Sequence, residues 1–102
     1  MTSKRTVALD ALIEQATVDA YGDEEQRLGL YTAIEDDLAM PFTTEVLGVE
    51  VTVTKVDLTG SGVVAQCRAG RHRQAINILD LPLPTPPPEG AEWIDAYRRW
   101  AR

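Results

Sequence analysis

The hydrophobic period of the sequence changes at Pro41, and this change constrains the fold more than any other feature. Before Pro41, apolar residues recur at the three- and four-residue spacing of helices. After it, the stretch TTEVLGVEVTVTKVDL alternates and is rich in Val and Thr, as strands are. Proline also disfavours helical geometry at the preceding Met40. We therefore predict a helical region over 1–40 and antiparallel strands over 42–80.

Two helices are predicted within 1–40. The first covers 6–20, where five apolar residues lie near one face: Leu9, Leu12, Ile13, Ala16 and Ala20. Gly22 interrupts this pattern. The next four residues have the form of a capping box, with Asp23 as the cap and Gln26 reaching back to it. The second helix is predicted from Asp23 to Ala39, with an apolar stripe made by Leu28, Tyr31, Ile34 or Glu35, and Leu38.

Four short strands are predicted within 42–80. Gly48 marks a turn or bulge, and the segments 59–62 and 69–71 mark two further turns. These connections are too short for helical crossovers, so the strands should form an antiparallel meander. The meander could remain a small sheet or curl into an SH3-like barrel.

The segment 81–90 is rich in proline and precedes a predicted C-terminal helix over 91–101. The run LPLPTPPP is compatible with an SH3 or WW ligand, but we expect a stiff strap across the domain surface. Trp93, Tyr97 and Trp100 lie at i, i+4 and i+7, on one helix face, and are expected to close the core. The sequence thus predicts a single α+β domain over 1–102.

Composition narrows the classes of protein to consider. No apolar run approaches the roughly 20 residues of a membrane span, and the N-terminus lacks a secretory apolar region. A single cysteine, Cys67, cannot form an internal disulfide, which suits a reducing cytoplasm. One Cys and one His cannot supply a zinc site. We expect a cytoplasmic protein with no membrane partner.

The residue types do not favour an enzyme. His72 has no positioned nucleophile or orienting partner recognisable in the sequence. Cys67 alternates with Val63 and Ala65, so it should point into the core and be inert. The chain has no phosphate-binding glycine motif. A binding protein is the expectation.

Charge is distributed unevenly along the chain. Residues 1–60 carry twelve acidic and four basic residues, a net charge of −8, whereas 61–102 carry four acids and six arginines, a net charge of +2. Binding along a phosphate backbone requires a broad basic surface, so nucleic acid is an unlikely partner. The acidic part favours a cation or a basic partner, or it serves only solubility.

Two acidic clusters are candidate cation sites. The first lies around Gly22 and consists of Asp19, Asp23, Glu24 and Glu25. The second lies at the end of the second predicted helix and consists of Glu35, Asp36 and Asp37. The helical rise separates Glu24 from Asp36 by about 18 Å, so the clusters cannot share one ion on a straight helix.

The two clusters lie at opposite ends of the second predicted helix, so the helix dipole favours the acids of one and opposes those of the other. Acids at a helix N-terminus complement the helix dipole, so the first cluster needs no metal. Acids at a C-terminus oppose the dipole, and free carbonyls there add further oxygen ligands of the kind calcium prefers. The second cluster is therefore either a calcium site or a tolerated, solvated face. Neither is an EF-hand, because a loop beginning at Asp19 would have Glu24 where Gly is required and Leu30 where Glu is required.

The stretch VDAYGDEEQRLGLYTAIEDDLAMPF and the strands after it resemble the cyanobacterial-type calcium-binding protein family (the CcbP type). The likeness covers 18–82, and its matching positions are Asp19-Ala20-Tyr21, Glu24-Glu25-Gln26, Glu35-Asp36, Pro41-Phe42 and Asp80-Leu81-Pro82. The resemblance implies a bacterial calcium sensor or buffer that binds the ion through acidic surface residues without an EF-hand. Both acidic clusters supply the candidate ligands.

An alternative function concerns a basic strip on the predicted strands, formed by Arg68, Arg71, His72 and Arg73. Small barrels often bind proteins or RNA through strand and loop residues. The strip has no interleaved aromatic residues, which weakens the RNA interpretation. Its arginines could also simply pair with the acidic helix. An unidentified protein partner remains open, as does the oligomeric state.

Overall fold

The computed structural model describes residues 3–102, and these form three helices and four strands. In chain order they are α1 Lys4–Thr17, α2 Asp23–Asp37, β1 Phe42–Val46, β2 Val49–Thr59, β3 Gly62–Ala69, β4 His72–Asn77 and α3 Glu92–Trp100. The predicted α+β class is confirmed, as is the order of helical region, strands, proline-rich segment and terminal helix. No helix within these residues is long and apolar enough to cross a membrane.

The four strands form one antiparallel meander in the order β1-β2-β3-β4. The three predicted turns are confirmed at 47–48, 60–61 and 70–71. The barrel alternative is wrong, because β1 and β4 remain the two edges of the sheet and do not pair with each other. Helices instead cover one face of the sheet, so its apolar side is buried without closure.

The core lies between that covered face and the helices. Val53, Val56 and Val63 on the central strands are almost completely buried, and α2 packs against β2. Trp93 and Tyr97 of α3 are buried in the same cluster, as predicted. Cys67 is also buried, and this burial raises the pKa of its thiol, so the inward orientation predicted for it is confirmed.

The helix α2 differs from its prediction in its end and in its buried stripe. It ends at Asp37, and Leu38 is already extended. Leu30 and Ile34 are completely buried, whereas Leu28 is 51% exposed. The predicted Ile34 and Leu38 are buried and Tyr31 packs against the core, so only Leu28 is wrong, and Leu30 takes its place in the stripe. Only the position of the sheet selects between these two leucines.

The predicted capping box is wrong, because Gly22 is the N-cap residue and makes no side-chain cap. Glu25 instead accepts a hydrogen bond from the backbone N–H of Tyr21 at 3.1 Å. The Gln26 amide oxygen accepts one from the indole N–H of Trp100 at 2.9 Å. The acidic first turn of α2 therefore complements the helix dipole without a reciprocal cap.

The helix α1 ends at Thr17, three residues before its predicted end, so Ala20 lies outside it. The other four predicted apolar residues pack at the margin of the core, namely Leu9, Leu12, Ile13 and Ala16. Gly29 of α2 lies directly against the backbone carbonyl of Ala16, where a side chain would overlap it. The two helices can therefore approach each other closely.

The proline-rich segment crosses the surface between β4 and α3, and its interpretation as a strap is confirmed. The guanidinium of Arg98 donates hydrogen bonds to the carbonyl of Ile78, at 3.1 and 2.9 Å, and to that of Leu81. The hydroxyl of Thr44 donates to the carbonyl of Pro82 at 2.8 Å. These bonds fix the start of the strap to both α3 and β1.

Candidate cation-binding site

The three carboxylates at the end of α2 have different partners. Glu35 Oε2 accepts a hydrogen bond from the hydroxyl of Tyr31 at 2.6 Å. Asp37 Oδ2 accepts one from the indole N–H of Trp93 at 2.7 Å. Asp36 is exposed. Two of the three acids therefore have structural roles in spite of the unfavourable helix dipole.

The bond to Glu35 raises the pKa of Tyr31 to about 12, since the negative carboxylate and partial burial disfavour the tyrosinate. A raised pKa means that this contact stabilises the fold fully below pH 10, the ordinary tyrosine value, and that the contribution is lost as the pH rises through about 12. We expect Glu35→Gln to return the pKa of Tyr31 towards 10, measured by tyrosinate absorbance against a Tyr31→Phe reference. Asp36→Asn is the control, and an equal shift in that variant would contradict the assignment to Glu35.

Asp36 and Asp37 share a surface depression with two further carboxylates from a distant part of the chain. A surface depression of about 380 Å³ is bordered by Asp36, Asp37, Glu89, Gly90 and Glu92, and we call it the acidic depression. Glu89 ends the proline-rich strap and Glu92 begins α3. Sequence reasoning missed both residues, because no periodic pattern connects them to α2. The Glu-Gly pair after a proline run was the only local signal of a turn there.

Backbone contacts hold the two sides of the acidic depression together. The N–H of Ala39 donates to the carbonyl of Glu89 at 2.8 Å. Gly90 has a φ of +87°, and a Cβ added to it would lie 2.5 Å from the carbonyl carbon of Asp37 and 2.7 Å from the Cα of Leu38. Only glycine fits this close approach. The end of α2 and the start of α3 are thus fixed relative to each other.

The first acidic cluster is not brought together by the fold. Asp19 and Glu25 border a depression whose other residues are largely apolar, including Leu28. Glu24 borders a different depression beside Arg27 and Leu58. Asp23 borders neither of these depressions. All four carboxylates are exposed, and they do not form one ligand set.

Metal ligation would require side chains to move. Within residues 3–102, no three Asp, Glu, His or Cys side chains lie close enough together to hold a metal ion as they stand. The acidic depression offers only hard oxygen donors, a set that suits calcium better than zinc. Its four carboxylate residues are exposed, so their side chains can rotate towards one ion.

The basic strip does not pair with the acidic helix, and that interpretation is wrong. In the part of the chain that the structure describes, the ion pairs are Arg5–Asp95, Lys55–Asp57 and Arg99–Asp10. Arg68 and Arg73 lie directly opposite each other on β3 and β4, whereas Arg71 belongs to the turn. The sheet lies between α2 and both Arg68 and Arg73, because these two project from the face that the helices leave uncovered.

No protein-family model, curated protein or solved structure matches this chain.

Proposed function

We propose that this protein binds calcium at the acidic depression and acts in the cytoplasm as a calcium sensor or buffer, not as an enzyme. One observation carries the proposal: carboxylates from two segments far apart in sequence border a single depression. None of the four belongs to an ion pair within residues 3–102. Mutual repulsion between such groups is relieved when a cation lies among them.

The geometry favours calcium over magnesium and a modest affinity. Calcium accepts six to eight oxygens in tolerant arrangements and uses water for the remainder, whereas magnesium requires near-octahedral geometry. The carboxylates must rotate to meet the ion, which costs side-chain entropy. We therefore expect a dissociation constant on the order of 10⁻⁴ to 10⁻³ M, the range of weak calcium modules.

Calcium should raise the melting temperature of the protein. An ion that binds only the folded state contributes about 1.4 kcal/mol at a tenfold excess over its dissociation constant. For a domain of this size, that corresponds to an increase of roughly 5 to 10 °C. Differential scanning calorimetry in calcium, in magnesium and in chelator measures the effect, and we expect a smaller increase with magnesium.

The variant Asp36→Asn/Glu89→Gln/Glu92→Gln should lose most of this increase while leaving the bond between Asp37 and Trp93 in place. Its matched control removes three charges from the first cluster, Asp19→Asn/Asp23→Asn/Glu24→Gln, and should keep the increase. If the control loses the calcium effect and the first variant keeps it, the site belongs to the first cluster. If the parent shows no effect, the protein does not bind calcium.

A spectroscopic measurement tests the position of the ion directly. Trp93 donates its indole N–H to Asp37 at the acidic depression, whereas Trp100 donates to Gln26 elsewhere. Calcium at the depression should shift the indole resonance of Trp93 in an NMR titration and leave that of Trp100 unchanged. Equal shifts for both indoles would contradict a local site.

A further inference from the structure

One face of the sheet is left uncovered by the helices and carries mostly polar side chains. Alternation along β3 turns Val63, Ala65 and Cys67 towards the core, so Gln66 and Arg68 project from the opposite face. Arg73 and Ala75 of β4 pair with Arg68 and Gln66 and project from that same face. Within residues 3–102, α1 and α3 pack on the helical side of the molecule and not on this one.

Positive charge is concentrated at the β3–β4 side of the uncovered face, whereas the acids of that face, Glu45, Glu50 and Asp57, lie on β1 and β2. Arg68 and Arg73 are directly opposite each other in the register of β3 and β4, an arrangement that is unfavourable for like charges. Neither forms an ion pair within the part of the chain described. Lys55 is the third cation of the group, and its charge is shared with Asp57 at 3.8 Å.

These three cations border a surface depression of about 480 Å³, together with Thr54, Gln66 and Cys67. Among residues 3–102 no carboxylate lines it, although Asp57 contacts two of the residues that do, Lys55 and Gln66. The two guanidinium groups supply donors in a form that suits carboxylate or phosphate oxygens, whereas the Thr54 hydroxyl already donates to the Gln66 carbonyl and the Gln66 amide to Asp57. The chemistry of this depression is therefore that of an anion-binding surface.

The strand β4 adds a second, independent feature, since it is an open edge of the sheet. It pairs with β3 on one side, and among residues 3–102 no strand lies on its other side. Its first four residues, from His72 to Ala75, are exposed. An open edge presents unpaired backbone N–H and C=O groups, which an extended peptide can pair with.

We propose that an extended acidic segment of another protein docks on β4 as a fifth strand and places its carboxylates against Arg68 and Arg73. The open edge provides the backbone pairing, and the basic face selects for acidic side chains. A second copy of β4 is disfavoured, because the same arginines would face each other. RNA is disfavoured because this face has no aromatic side chain on which bases could stack.

The attraction is local, because the protein as a whole carries a net charge of −6. Charges are screened beyond about 8 Å at physiological ionic strength, so the acids of the helical side oppose the encounter only weakly there. Binding should nevertheless weaken as salt is raised further, since the arginines are exposed.

An NMR titration with a short synthetic peptide of alternating Glu and Val tests the proposal. We expect the amide resonances of 72–77 to shift and their outward-facing amides to exchange more slowly with solvent. Arg68→Gln/Arg73→Gln should weaken binding about tenfold. The matched control, Lys4→Gln/Arg102→Gln, removes the same charge elsewhere and should bind as the parent does.

Three further probes separate the alternatives. A peptide of alternating Lys and Val should not bind, and equal binding would overturn the role of charge. We expect inorganic phosphate neither to displace the peptide nor to protect the β4 amides from exchange. Shifts limited to Arg68 and Arg73 without protection of β4 would instead indicate a simple anion site, and preferential binding of oligouridylate would indicate RNA. Either result overturns the proposal, as does the absence of peptide binding.

Discussion

Gly90→Ala should destabilise the protein by about 3 kcal/mol or more, the combined cost of a strained backbone and of an overlap with packed atoms. Gly90 has a φ of +87°, and its added Cβ would lie 2.5 Å from the carbonyl carbon of Asp37. The neighbour is backbone at the end of a helix, so it cannot move away as a flexible side chain would. Urea unfolding measures the loss, which corresponds to a decrease in melting temperature of roughly 12 °C or more.

Gly48→Ala is the matched control for the free-energy cost of the strained backbone alone. Gly48 has a similar φ of +80°, but an added Cβ would meet nothing within 4 Å. We expect Gly48→Ala to cost about 1 kcal/mol, the price of the left-handed conformation alone. Equal losses in the two variants would contradict the close approach of Gly90 to Asp37.

Arg98→Met should destabilise the protein by about 3 kcal/mol, because hydrogen bonds from a charged donor to two carbonyls are lost together. The acceptors are the backbone carbonyls of Ile78 and Leu81. Both residues are almost completely buried, so water cannot easily replace the guanidinium. Met keeps most of the apolar stem of Arg, which limits the change to the hydrogen bonds. Thermal unfolding and proteolysis within the strap should both report the loss.

Arg102→Met serves as the control, since Arg102 is exposed and lies outside α3. It should leave the free energy of unfolding within about 0.5 kcal/mol of the parent. Arg98→Lys should fall between parent and Arg98→Met, because an ammonium group can reach one carbonyl but lacks the planar fork. A stable Arg98→Met variant would show that other contacts hold the strap.

The sequence predicted the elements of this fold because their signals are local. The period change at Pro41 separates helices from strands, and Gly48, Gly60 and Gly70 mark the three turns of the meander. One position in the buried stripe of α2 was mispredicted, because Leu28 and Leu30 are equally apolar. Only the tertiary position of β2 decides which of them is buried, and no local pattern contains that information.

The candidate site was harder to predict because its partners are distant in the chain. The run of three acids is visible in the sequence, but the bond from Trp93 to Asp37 joins residues that no local rule connects. Glu89 and Glu92 lie at the acidic depression because of the course of the proline-rich strap that precedes them. That strap has no hydrophobic periodicity from which its course could be predicted. Pairing of arginines across β3 and β4 likewise depends on register, which the turn at Gly70 fixes only once the strands are placed.

The packing of α1 against α3 has a consequence for the order in which the fold can be completed during synthesis. Each strand pairs with its neighbour in sequence, so the meander can form as soon as its strands are made. The helices α1 and α2 are made before the strands, but both pack on α3, which follows them. The sheet can cover the stripe of α2 through Leu30 and Ile34, but until α3 is available the surfaces of α1 and α2 that it covers remain open to water and to other chains. The growing polypeptide is therefore most vulnerable to aggregation while its sheet is already paired and its helical layer is incomplete.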